Sequence, residues 1–124
     1  MAEVVAPGEA EVIGLPGRVS REIVAARTGA RAVTLRIVEI AVPAPDDTPR
    51  GPHVHHGFEE CIHVLAGEGA MHAGGAVHPL KPGDTVLVPA EEPHVTRNTG
   101  RVPLVLLCFF PVSDIRPGTE ELAG

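Results

Sequence analysis

Apolar and polar positions alternate with a period of two along "RVSREIVAA" (18–26) and "RAVTLRIVEIAV" (31–42). That period predicts strands whose successive side chains leave on opposite faces. In the second segment Val33, Leu35, Ile37 and Glu39 share one side, and Thr34, Arg36, Val38 and Ile40 share the other. Further strands are predicted in "ECIHVLAGEGAMHA" (60–73), "DTVLVPA" (84–90), "HVTRN" (94–98) and "PLVLLCFF" (103–110), all rich in the Val, Ile, Leu and Thr that suit a pleated surface. Glycine and proline recur between them at intervals of roughly eight to twelve residues, too close for a long helix. Gly74-Gly75 in "HAGGAVH" predicts a hairpin, since consecutive glycines accept positive φ without strain, and "KPGD" predicts a tight turn feeding the next strand. The pattern as a whole reads as an all-β sandwich or barrel.

At 124 residues the chain is expected to form one domain, 1–124, with an N-terminal arm over 1–14, a core over about 15–113 and a C-terminal tail over 114–124. "PLVLLCFF" is apolar at consecutive positions, so both its faces are expected to be covered: one by the barrel interior, the other by a second sheet or a second subunit. A homodimer follows as the expectation.

Composition then narrows the function classes. A net charge of −6 with dispersed basic residues offers no footprint for a phosphate backbone, and three Phe with no Trp or Tyr offer no stacking platform for single strands. Nucleic acid is therefore not an expected partner. The longest apolar run, "PLVLLCFFPV", falls short of the roughly 18–20 residues that cross a bilayer, so no membrane association is expected. The acidic start "MAEVVAPGEAEVIG" lacks a basic region followed by an apolar one, and a cytoplasmic location is the expectation. Cys61 and Cys108, without C-x-x-C spacing, are expected as free thiols.

The chemistry concentrates in "GPHVHHGFEECIHVLAGEG" (51–69), which holds His53, His55, His56 and His63, four of the seven histidines, with Glu59 and Glu60. His53 and His55 are two apart, so an extended chain sends both imidazoles to one face and Val54 to the other. Glu60 heads the next alternating strand and would point inward with Ile62 and Val64. An unpaired buried carboxylate costs several kcal/mol, a cost that a divalent cation beside the imidazoles removes. A one-residue slip would put Glu59 in its place. His56 and Glu59 fall on the opposite side of the chain, His63 faces away from the interior, and His72 and His78 flank the hairpin where they could share a face. His94, after the "PAEEP" turn, is the candidate ligand from another strand, with Thr96 and Asn98 on its face as donors to a bound molecule or to a ligating imidazole. Ile62, Met71, Val88, Cys108 and Phe110 are read as pocket wall. Arg97 and Arg101 are read as solvated surface, with the steering of an anionic ligand as the other reading.

These spacings resemble the two motifs of the cupin family. His53-x-His55, Glu60 after four intervening residues and Gly67 after six more match the first; Gly83, Pro89, His94 and Asn98 fall in the register of the second. Asp47 and Glu91 stand where the motifs have glycine; both are turn positions, so they bear on loop shape and not on ligands. The resemblance implies a double-stranded β-helix (a jelly-roll barrel), with His53, His55, Glu60 and His94 as ligands of a divalent transition metal: Fe, Mn, Ni, Cu or Zn. Three imidazoles and one carboxylate leave coordination positions open, an arrangement for catalysis or ligand binding and not for a closed structural site. The family hosts dioxygenases, decarboxylases, isomerases and lyases. Aliphatic walls without a Lys or Tyr base favour metal-centred redox chemistry or C–C cleavage of a small organic substrate, dioxygenase- or decarboxylase-like. The alternative is a non-catalytic barrel that binds a small carboxylate or sugar.

Overall fold

In the computed structural model, residues 1–15 and 17–123 are described; Pro16, and Gly124 at the end of the expected tail, lie outside them. The alternating segments form β1 (Glu11–Leu15), β2 (Arg18–Val24), β3 (Thr34–Ile40), β4 (His53–His55), β5 (Glu60–Ala66), β6 (Gly69–Ala73), β7 (Ala76–Leu80), β8 (Thr85–Val88), β9 (His94–Asn98), β10 (Leu104–Phe110) and β11 (Thr119–Glu121). They pair into a six-stranded sheet in the order β1-β2-β3-β10-β5-β8 and a five-stranded sheet in the order β11-β4-β9-β6-β7. The chain therefore has the all-β, two-sheet architecture of a jelly-roll barrel, and no helix among the described residues is long and apolar enough to cross a membrane.

The stretches read as arm and tail each supply a strand: β1 pairs with β2, and β11 pairs with β4. Apolar content did not reveal β11, whose residues Thr119, Glu120 and Glu121 are half-buried or exposed and are held by pairing and side-chain bonds. Gly74 and Gly75 make the β6–β7 turn at φ 59° and 77°, as their sequence requires. The register sets His72 opposite Val77 and His78 opposite Met71, so these two histidines lie on opposite faces of the hairpin and not on a shared one.

One face of each sheet meets in the core, where Val38, Ile62, Val64, Met71, Val88, Leu104, Leu106 and Phe110 pack together. Gly67 turns β5 toward β6 at φ 84°, and a Cβ there would stand 2.5 Å from the Pro103 carbonyl oxygen, so both conformation and space demand glycine. The alternation in β5 is clean: Glu60, Ile62 and Val64 are buried while Cys61 is exposed. On β2 the usual rule inverts, because its inward face carries the polar residues Arg18 and Ser20, which sit in register with core residues Ile40 and Val38 of β3.

Candidate metal centre

Three imidazoles reach the interior from the five-stranded sheet and one carboxylate from the six-stranded sheet. β4 presents His53 and His55, and its register places His53 opposite His94 of β9, their ring centroids 4.2 Å apart. Glu60 enters from β5 and sets Oε1 3.1 Å from His55 Nε2 and 3.2 Å from His94 Nε2. Each of the four residues offers one donor atom, and these atoms lie within 4.8 Å of one another. Glu60 is buried and Glu59 exposed, so the register brings Glu60 to the cluster.

The hydrogen bonds behind the rings fix which nitrogen faces the cluster. His94 Nδ1 lies 3.0 Å from the Glu92 carbonyl, which only accepts, so Nδ1 carries the hydrogen. The Thr119 hydroxyl donates to the Ile115 carbonyl at 2.6 Å, so at 2.9 Å from His55 Nδ1 its oxygen accepts. In the neutral imidazoles both Nε2 atoms then present lone pairs to the same carboxylate oxygen, acceptor against acceptor. Such a convergence calls for a positive charge between the groups, and a divalent cation suits it: the outer nitrogens are held, the inner ones are free to ligate. His53 adds a buried Nδ1 with no partner among the described residues.

Electrostatics agree. Burial works to raise the Glu60 carboxyl, but positive charge on the His55 and His94 side, carried by a proton on Nε2 or by a cation in its place, outweighs it and holds the pKa down at about 2, so the carboxylate is ionised where the imidazoles meet it. Burial, with His94 and Arg50 beside it, lowers His53 to about 2, so this imidazole is neutral, the form that binds metal. Phe58 stacks on the His55 ring at 5.1 Å and Phe110 meets its edge at 5.2 Å, closing one side of the cluster with apolar surface. Burial and the nearby Glu60 carboxylate push the Cys108 thiol up, keeping it protonated.

A cavity of about 210 Å³ opens from the cluster. Of the residues read as pocket wall, Ile62, Cys108 and Phe110 line it, and so does Thr96. Met71 and Val88, expected there, instead lie in the solid core at 0% and 1% exposure. Asn98, expected as a donor to a ligand or an imidazole, instead uses its amide to donate to the Ile40 and Val102 carbonyls and to accept from the Gly100 N–H, pinning the turn before β10. His56 is exposed and bonded to Glu91 and Glu120, and His63 bonds Thr85 away from the cavity. Arg97 lines a neighbouring hollow, and Arg101 sits near Glu68 at the surface.

Sequence reasoning missed four arginines on this cavity: Arg18, Arg36, Arg50 and Arg116. Arg36 pairs with Glu22, Arg50 with Glu121 and Arg116 with Asp114. Arg18 and Ser20 alternate with apolar Val19, a pattern that reads as a strand's solvent face; only the register reveals that the polar side looks inward.

Comparison with known proteins adds to this geometry. The family profile described as "Cupin domain" matches residues 40–110. An uncharacterized protein of Methanocaldococcus jannaschii, MJ1618, is 35% identical over 78 residues, 63% of this chain and 61% of its own length. An oxalate-binding protein of Thermotoga maritima is 36% identical over 66 residues, 53% of this chain and 54% of its own. The matched region thus spans little more than half of each of these relatives. Among solved structures, the nucleoside dehydratase Pac13 of Streptomyces superposes with a TM-score of 0.78 at 10% identity, covering 98% of this chain and 92% of the other, a likeness of fold.

Proposed function

The chain belongs to the cupin domain family, and from that premise we propose that it is a metal-dependent enzyme acting on a small organic acid, with His53, His55, Glu60 and His94 holding a divalent transition metal (Fe, Mn, Ni, Cu or Zn). The observation that carries this reading is the convergence of the His55 and His94 Nε2 atoms on one Glu60 carboxylate oxygen at 3.1 and 3.2 Å, beside an open cavity. A cation held there supplies Lewis-acid polarisation of a substrate oxygen and, if it is iron or copper, redox chemistry. The chain's own residues do the rest. Glu60 and the imidazoles hold the cation, Phe58 and Phe110 keep water from one side of it, and Thr96 stands on the cavity wall with its hydroxyl donating to Met71 Sδ. Arg18, the one cavity arginine without a carboxylate partner among the described residues, suits the cavity to an acid, and the protonated Cys108 adds no competing negative charge. Decarboxylation or dioxygenation of a small carboxylic acid fits this equipment, because neither requires a lysine or tyrosine base.

A second reading, saturable binding without turnover, is favoured by the oxalate-binding relative. The two separate on product formation. Metal-loaded protein is offered small carboxylic acids while carbon dioxide release and oxygen uptake are followed. Turnover that His94→Ala abolishes supports the enzyme; binding with no product supports the module. The same proposal includes a homodimer formed through the outer face of the six-stranded sheet, where Leu35, Phe109, Cys61 and Leu87 stand side by side in register.

A further inference from the structure

Arg18 is the odd member of the cavity's four arginines. Arg36, Arg50 and Arg116 each have a carboxylate partner at 2.6 to 2.9 Å, whereas Arg18 has no ion pair or hydrogen-bonded partner among the described residues. It is half-buried, and burial with the neighbouring Arg50 lowers its pKa to about 10, the mark of a cation short of compensation. Two residues on, and therefore on the same side of β2, Ser20 is 3% exposed, lines the same cavity, and has a buried Oγ with no partner among the described residues. A buried hydroxyl and a sheltered guanidinium left without partners each carry a cost that a bound group would remove.

We propose that Arg18, assisted by Ser20, is the specificity-determining residue of the cavity: it takes the second carboxylate of a small dicarboxylic acid whose first carboxylate meets the cation at His53, His55, Glu60 and His94. The inference rests on the metal-dependent reading above and names its substrate class. Charge balance selects a dianion. The two positive charges of a divalent cation and the one on Arg18, set against the single negative charge of Glu60, leave two unmatched, because the other three arginines are neutralised by Glu22, Glu121 and Asp114. A monocarboxylate would leave one of them buried and unpaired. Size selects a short acid, since about 210 Å³ is below the roughly 300–1,000 Å³ of pockets for drug-sized ligands. The fork of Arg18 matches a carboxylate with two parallel N–H donors, which a lysine would not.

Calorimetric titration of metal-loaded protein with malonate and with acetate tests this, with metal content measured on every sample. Wild type is expected to bind malonate about 10- to 100-fold more tightly than acetate, the range of one charge-assisted pair. Arg18→Gln is expected to retain its metal and its acetate affinity while malonate falls to the acetate level; Arg18→Lys, which keeps the charge and loses the fork, falls between. Metal-loaded wild type without a malonate preference, or Arg18→Gln or Arg18→Lys with the wild-type preference, overturns the inference and leaves the metal site standing. Wild type that takes up no metal overturns both.

Discussion

Glu91 shows how a single residue departs from its family's pattern and what the departure costs. It occupies the position where the second motif has glycine, and it is the one non-glycine residue at positive φ among the described residues, at 69°. The turn has kept the glycine-type backbone without the glycine. Its carboxylate accepts from the Gly57 N–H at 3.1 Å and bonds His56 at 2.9 Å, tying the turn before His94 to the segment after His55. Removing the side chain separates strain from bonding. Both Glu91→Ala and Glu91→Gly lose those bonds, but only alanine keeps the strained Cβ, so the glycine variant should be the more stable of the two by about 1 kcal/mol. Chemical denaturation of the pair checks this; equal stabilities would mean the backbone is not strained there. At this scale the H-x-H spacing and Glu60 were legible, because period-two geometry alone puts their side chains on predictable faces. Arg18, Ser20 and Asn98 were not, since their surroundings come from strands distant in sequence.

Among the elements, β1 and β11 are the ones that sequence reading did not supply, and β11 supports the His/Glu cluster most closely. Thr119 lies opposite His55 in register and accepts from its Nδ1–H, while Arg50 and Glu121 fork together at 2.8 and 3.0 Å across the same pair of segments. A three-residue polar strand has too few apolar positions to announce itself, so its contribution is visible only through its partners. β5, by contrast, was legible from apolar periodicity and β10 from its unbroken apolar run. Thr119→Val should leave the strand paired while stripping the His55 ring of its acceptor, freeing the wrong nitrogen to ligate. Metal affinity should fall about 10- to 100-fold, the usual range for a residue that orients a ligating imidazole. Competition titration against a chelator measures it, and an unchanged affinity would show that Phe58 and Phe110 orient the ring without help.

At the scale of the whole molecule, the two faces of the six-stranded sheet have separate tasks. The inner face supplies Glu60, Arg18 and much of the cavity; the outer one carries an apolar row in which Leu87 is 59% and Phe109 38% exposed. Covering that row with a second copy is the expected outcome, and Phe109→Glu with Leu87→Glu should convert a dimer to a monomer in light scattering without loss of fold. A wild type already monomeric at micromolar concentration would contradict the dimer. The cavity stands on the other side of the sheet, so this result leaves the metal site untouched. That site is decided by the metal content of tag-free protein, wild type against the Glu60→Ala, His94→Ala double variant. Near-stoichiometric iron, manganese, nickel, copper or zinc in the wild type, lost in the variant, is the predicted result; a wild type that is empty and takes up none of these metals when offered them would contradict it.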